Sequence, residues 1–304
     1  MPPVVQVSSL RKRYGAVTAV QDVSFDVEEG EIFGLIGPNG AGKTTTLECV
    51  EGLRAPDAGE IRVLGLHPRR DVRALQRRVG VQLQEAPLQK RIKVWEAIDL
   101  WAALYDRPVD AGRLLEQLGL VDKRQSWFMT LSGGQKQRLF IALALIHDPE
   151  VVFLDEVTTG LDPQARRAIW ELIRGIRARG KTVVLTTHLM EEAERLCDRV
   201  AIVDHRLLID IGRPADLIRR HCPERAITLS TTDSRARAML AALPQVTAVA
   251  QDGPRWSVQG TGVDLLDAVI TCLAAHRISV LDLRSDSATL EDVFLRLTGH
   301  SIRS

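Results

Sequence analysis

The 304-residue sequence predicts a mixed α/β fold followed by a smaller α+β segment at its C-terminal end. Three observations carry that prediction. A glycine-rich stretch, GPNGAGKTT at 37–45, lies between the apolar run EIFGLIG at 31–37 and the helix-forming run TTTLECVEGL at 44–53. A second apolar run, VVFLDE at 151–156, ends in two carboxylates. After about residue 222 the pattern becomes strand, helix, strand, strand, helix, strand. A short apolar run bounded by glycine or charge reads as a strand buried on both faces, and such strands belong to parallel sheets.

Composition bounds the reading. Some 45% of the chain is hydrophobic, enough for a real core, and the length allows one large domain or two ordinary ones. The formal net charge of +1, from 40 basic and 39 acidic residues, argues against nucleic acid as a partner. Cys49, Cys197, Cys222 and Cys272 are far apart without CxxC spacing, so no disulfide framework or zinc site is expected and a reducing cytosol fits. The start, MPPVVQVSSL, lacks the charged and apolar regions of a secretory signal. The longest apolar run, LFIALALI at 139–146, falls short of the ~20 residues that span a bilayer.

Residues 37–44 fit G-x-x-x-x-G-K-[ST] through Gly37, Gly42, Lys43 and Thr44, in the strand–loop–helix context that the pattern needs. Glycines let successive backbone N–H groups turn toward an anion, and the helix starting near Lys43 adds its positive end. The loop Gly37, Pro38, Asn39, Gly40, Ala41 and Gly42, with Lys43, Thr44 and Thr45, is therefore expected to cradle the phosphates of a nucleotide. Lys43 reaches the β- and γ-phosphates of ATP, and the Thr44 hydroxyl ligates Mg²⁺.

VVFLDE puts its acids at the C-terminal end of a central strand, the end at which open α/β sheets bind ligands. Asp155 is expected to hold Mg²⁺, directly or through water, and Glu156 to polarise the attacking water. Upstream, in LSGGQKQRLFIALALIHDPE at 131–150, Ser132 is a good N-cap for a helix that stops before Pro149.

The five residues Leu131–Gln135 spell LSGGQ, the signature of ATP-binding-cassette (ABC) proteins. Over most of residues 4–220 the chain resembles the ATPase subunit of an ABC transporter. The resemblance implies an ABC-type P-loop ATPase core: a RecA-like sheet with antiparallel β and helical subdomains. It places Tyr14, in RKRYG, where a ring stacks on adenine. It places Gln84, in VGVQLQEAP, at the Q-loop glutamine of the catalytic centre and metal, with Gln82 competing by spacing. Gly160, Leu161 and Asp162 match the D-loop at the nucleotide, and His188, in VVLTTHLMEE, matches the switch histidine near the γ-phosphate. Ser132, Gly133, Gly134 and Gln135 are implied to face the γ-phosphate held by a second subunit. ATP would then join a head-to-tail homodimer, or a heterodimer with a paralogous ATPase, and hydrolysis would release it. One departure is Val157, where most members carry proline; valine keeps its own N–H and a freer φ.

The implied protein is cytoplasmic and peripheral on the inner face of the membrane, which it meets only through a separate transmembrane permease. The ending LEDVFLRLTG and the run TTHLMEEAERLCDRVAIVD resemble the drug-exporting, daunorubicin-resistance-like branch, implying export of a drug, antibiotic, lipid or polysaccharide. Ribosome-acting members usually carry two cassettes and DNA-repair members split theirs with a coiled coil; neither pattern occurs here. The expected division is a cassette at 1–221, with a helical subdomain at about 86–148, and an accessory domain at 222–304. In that domain RAITLS, SRARAMLAAL, VTAVA, RWSVQG, VDLLDAVITCLAAH and ISVLDL suggest a ferredoxin-like sandwich, followed by the helix ATLEDVFLRLTGH. Trp95, Ile98 and Trp101 are either helix core or the groove for a permease helix. Arg69, Arg70, Arg73, Arg77 and Arg78 either face anionic lipid or, as such runs more often do, form a solvated face.

Overall fold

The computed structural model describes residues 3–82, 88–233, 235–262, 264–286 and 288–301. The chain divides into two compact units, one reaching to Pro214 and the other running Ala215–Ser301. In the first unit the order is β1 (Val5–Tyr14), β2 (Val17–Val27), β3 (Ile32–Ile36), α1 (Lys43–Val50), β4 (Ala58–Val63), α2 (Val72–Gln76), β5 (Val79–Gln82), α3 (Val94–Ala102) and α4 (Ala111–Gln117). It continues with α5 (Gly133–Leu145), β6 (Val151–Asp155), α6 (Pro163–Ala178), β7 (Thr182–Thr187), α7 (Met190–Leu196), β8 (Arg199–Asp204) and β9 (Leu207–Gly212).

Six strands form one sheet in the order β5-β6-β7-β3-β8-β9, parallel except for the β8–β9 hairpin. Every residue of β3, β6 and β7 is buried, which is why β3 and the first four residues of β6 read as apolar runs, while β7 adds buried threonines at its ends. By contrast β1 mixes buried and exposed residues, because the antiparallel sheet β2-β1-β4 turns one face to water. Phe25 of β2 and Phe33 of β3 stack with ring centres 5.2 Å apart, within a core that also holds Leu35, Leu47 and Phe153.

Register is what builds the site. Ile36 of β3 sits opposite Thr187 of β7, and Asp155 of β6 sits opposite Thr186. Three parallel strands therefore end side by side, about 4.8 Å apart from one to the next. The glycine-rich loop, Glu156 and His188 leave the sheet at the same edge.

Residues 94–145 carry α3, α4 and α5, with two short 3₁₀ turns between α4 and α5. Ile98 is fully buried, as the core reading expects, whereas Trp95 and Trp101 are half-buried. The long amphipathic α6 buries Ile169, Trp170, Ile173 and Ile176. Its Trp170 Nε1 and the Thr158 hydroxyl both donate to the buried Glu192 carboxylate at 2.8 Å, holding α7 in place.

The helix α8 (Pro214–His221) falls almost wholly to the second unit, seven residues ahead of the boundary read from the sequence. There β10 (Glu224–Ser230), α9 (Ala236–Ala241), β11 (Val246–Asp252), β12 (Arg255–Thr261), α10 (Leu265–Ala275), β13 (Asp282–Asp286) and α11 (Leu290–Thr298) come next in the chain. The four strands pair antiparallel in the order β11-β12-β10-β13, over a core of Ile227, Leu229, Leu240, Trp256, Val258 and Val269. The last strand shifts from the sequence reading: of ISVLDL at 278–283 only Asp282 and Leu283 belong to it. Ile278 packs into the core, and pairing with β10 begins only at Asp282. As an edge strand β13 can be polar, so apolar residues marked burial rather than pairing.

Candidate functional site

The loop after β3 is shaped by glycines that no other residue replaces. Gly37 has φ 155°, and a Cβ there would come within 2.0 Å of the Val203 carbonyl oxygen. Gly42, the N-cap of α1, has φ 100°, and its Cβ would meet the Ala19 carbonyl at 2.4 Å. These contacts seat the loop on β2 and β8. From α1 the Lys43 side chain folds back, 4% exposed. Its Nζ donates to the Gly37 carbonyl at 2.9 Å and the Pro38 carbonyl at 3.0 Å, and pairs with Glu156 Oε1 at 3.3 Å. Burial lowers the Lys43 pKa, and the Glu156 carboxylate works against that shift.

Asp155 and Glu156 point apart, as adjacent residues at a strand end do. The Asp155 carboxylate accepts a short hydrogen bond from the Thr186 hydroxyl and a longer one, 3.4 Å, from the Thr44 hydroxyl. Burial holds its pKa above the usual carboxylate range. Glu156 takes a left-handed backbone conformation, φ 47°, which costs on the order of 1–3 kcal/mol in a residue with a Cβ. Its N–H donates to both the carbonyl and the hydroxyl of Thr186, at 3.2 and 3.1 Å. The neighbouring Val157 is buried. Glu156 Oε2 accepts from the Thr159 hydroxyl at 3.3 Å and lies 3.4 Å from His188 Nδ1. One carboxylate thus touches both Lys43 and His188.

A cleft of about 570 Å³ opens over this group. Asn39, Gly40, Gly42, Lys43, Thr44 and Thr45 line one side and Glu156 another. Tyr14, at the end of β1 and 42% exposed, also lines it. Lys12 Nζ and the Arg54 guanidinium carbon each lie 5.4 Å from its ring centre.

Other expected residues stand elsewhere. Ser132 caps α5: its hydroxyl accepts from Gln135 N at 3.3 Å, and Gln135 Oε1 accepts from Ser132 N at 3.0 Å. Cβ atoms built on Gly133 and Gly134 would stand 3.3 Å from Leu161 and 3.0 Å from Ala165, so this helix start packs tightly on the D-loop and α6. Asp162 caps α6, accepting from Ala165 N at 2.8 Å. None of Ser132, Gly133, Gly134, Gln135 or Asp162 is among the described residues lining the cleft. Gln84 lies outside the described residues.

The sequence reading missed Thr186, Val17, Thr18, Ala19 and Arg206. Thr186 donates to the Asp155 carboxylate and accepts from the Glu156 N–H, and the other four line the cleft. A threonine pair closing the apolar strand TVVLTT was the one available hint; the rest sit in a strand and a hairpin with no pattern of their own.

The ABC transporter family model matches residues 20–159. The Nod factor export ATP-binding protein I of Ralstonia nicotianae is 40% identical over 307 residues, 99% of this chain and 95% of that one. The chain belongs to the ATP-binding proteins of ABC transporters. A second relative of this ABC protein, the linearmycin resistance ATP-binding protein LnrL of Bacillus subtilis, is 34% identical over 99% of this chain and all of its own length. Among solved structures, an ATP-binding subunit of an ABC transporter superposes with a TM-score of 0.64 at 30% identity, covering 71% of this chain and 92% of that one. The protein is accordingly a nucleotide-binding ATPase subunit whose family works with a transmembrane permease. No helix of the described residues is long and apolar enough to cross a membrane.

Proposed function

We propose that this ABC protein hydrolyses ATP to drive export through a separate permease, by ATP-dependent head-to-tail pairing of two subunits. The observation that carries this reading is the Lys43–Glu156–His188 cluster at one sheet edge, with the signature residues placed outside the same cleft. Lys43 is held by two loop carbonyls and Glu156. Phosphate oxygens are stronger acceptors for it than carbonyls, because both partners are then charged. Lys43 turns to them and releases Glu156, whose carboxylate then takes the proton of an attacking water. His188 is positioned to bridge Glu156 and the γ-phosphate. Thr44 and Asp155 present hard oxygens to one point, which suits Mg²⁺. When bound, Mg²⁺ neutralises charge on the β- and γ-phosphates.

The helix start at Ser132–Gly134, whose first N–H groups have no partner within the helix, would meet the γ-phosphate of the other subunit. A cleft of about 530 Å³ lined by Leu53, Trp101, Leu104 and Tyr105, with Leu104 70% exposed, is a suitable seat for a permease helix and would hold the protein on the inner membrane face. Export is supported by the two relatives, one named for Nod factor export and one for linearmycin resistance.

Glu156→Gln tests the core of this reading. The amide keeps shape but is a poor proton acceptor, so turnover should fall by about 10²–10⁴-fold while ATP stays bound. ATP should then trap a dimer, seen as a doubled mass in size exclusion with light scattering. Turnover close to wild type would remove Glu156 from the role of base.

A further inference from the structure

We infer that Arg206 is a second cationic contact for the phosphates of the bound nucleotide, presented by a hairpin turn that arginine does not suit. Asp204 of β8 pairs with Leu207 of β9, which leaves His205 and Arg206 as a two-residue turn. Both have positive φ, 45° and 72°. Turns of this form favour Asn-Gly and Gly-Gly, because a Cβ at positive φ crowds the backbone. Arginine therefore gains nothing conformationally at this position, and the use of its side chain has to be sought outside the turn.

The turn is fixed beside the phosphate loop. Gln21 N donates to the Arg206 carbonyl at 2.8 Å, tying the turn to β2 close to Val17, Thr18 and Ala19, which line the nucleotide cleft. The end of β8 is packed on the loop itself through the Val203 carbonyl and Gly37. Arg206 lines the same cleft as Lys43, Thr44 and Glu156. The two cations of that lining differ in one respect. Lys43 is held by two carbonyls and a carboxylate, whereas the Arg206 guanidinium has no partner among the described residues. It is the positive charge there that is available to meet an incoming anion. Its planar fork of donors matches phosphate oxygens.

The inference rests on the nucleotide occupying this cleft, and the experiment separates the two claims. The full-length protein is titrated with ATP and, separately, with ADP. Arg206→Gly should bind both at least about 10-fold more weakly, the loss expected of one charge-assisted contact. The same variant should melt about 2–4 °C higher, because glycine relaxes the turn. Affinity and stability thus move in opposite directions, which a merely structural arginine would not produce. Arg206→Gln keeps the backbone strain without the charge and should lose as much affinity as glycine. Arg206→Lys keeps the charge and should stay within about threefold of wild type. Unchanged affinity in the glycine and glutamine variants, or equal losses for lysine and glutamine, overturns the contact. Lys43→Ala serves as the reference. If it binds like wild type, the cleft is not the nucleotide seat. If it loses ATP while the Arg206 variants do not, only the Arg206 contact falls.

Discussion

Lys43 shows how one side chain serves two roles. A buried ammonium would be costly if unpaired, and three acceptors within 3.3 Å offset that cost. The loop is thus preformed and charge-balanced on its own, and in the proposed mechanism nucleotide phosphates replace these partners rather than add to them. Lys43→Ala removes the cation from both arrangements. ATP affinity, measured by equilibrium titration with Mg²⁺ present, should fall at least about 10-fold, since a hydrogen bond to a charged group is worth about 1.5–3 kcal/mol. In the free protein, the same substitution leaves Glu156 facing the loop with no cation, which should cost about 1–3 kcal/mol in a denaturant midpoint. Unchanged affinity together with unchanged turnover would reject the phosphate-loop assignment. Sequence pattern located Lys43, Thr44, Asp155 and Glu156, because a loop that wraps phosphate needs its own spacing. It could not show that Lys43 grips Glu156, because 113 residues separate them in the chain and only the sheet brings them together.

Among the elements, α5 tests the pairing of subunits. Its start is a capping box built on two glycines that lie close against Leu161 and Ala165, and it does not line the cleft of its own chain. Ser132→Arg places a bulky cation where the partner's γ-phosphate should sit, while Tyr14, Lys43, Thr44 and Asp155 stay intact. Losing the cap should cost about 1 kcal/mol of stability. ATP binding by the isolated subunit should stay within about twofold of wild type, but the ATP-bound dimer and hydrolysis should vanish. Dimerisation is read by size exclusion with light scattering, and turnover by phosphate release. Loss of ATP binding in a folded variant would mean that the signature acts within its own chain, and the head-to-tail arrangement would be wrong. The cap was legible from Ser132, since local hydrogen bonding sets it, whereas the return bond from Gln135 appears only in the structure. The fit of Gly133 and Gly134 against α6 was not, because it depends on how helices distant in sequence pack.

For the whole molecule, the two units have separate cores. Every residue proposed to touch nucleotide belongs to the first. A chain ending at Pro214 should therefore fold and bind ATP within about threefold of the full-length protein, the remaining difference reflecting small losses of stability rather than lost contacts. Circular dichroism and ATP titration check this. A truncated protein that folds yet binds no ATP would show that the second unit completes the site. The cut belongs before Ala215 rather than at 222: α8 is amphipathic and read as the end of the cassette, but its contacts group it with the second unit.

Local chemistry was legible in the amino-acid order: the glycine loop, the paired acids, the capped signature helix and the apolar strands around them. Each depends on spacing along a few residues, or on burial so complete that a strand reads as an apolar run. Which of these groups meet was settled only by the folded chain. Parallel pairing aligned Ile36, Asp155 and Thr187 so that three distant segments share one edge. It made Thr186 the hydrogen-bond partner of the Asp155 carboxylate and the Glu156 N–H, and it brought the β8–β9 turn to the glycine-rich loop. Pairing also moved the last strand to a polar segment, because an edge strand is selected by backbone hydrogen bonds and not by its side chains. Strand register depends on long-range partners, and no short window of residues contains that information.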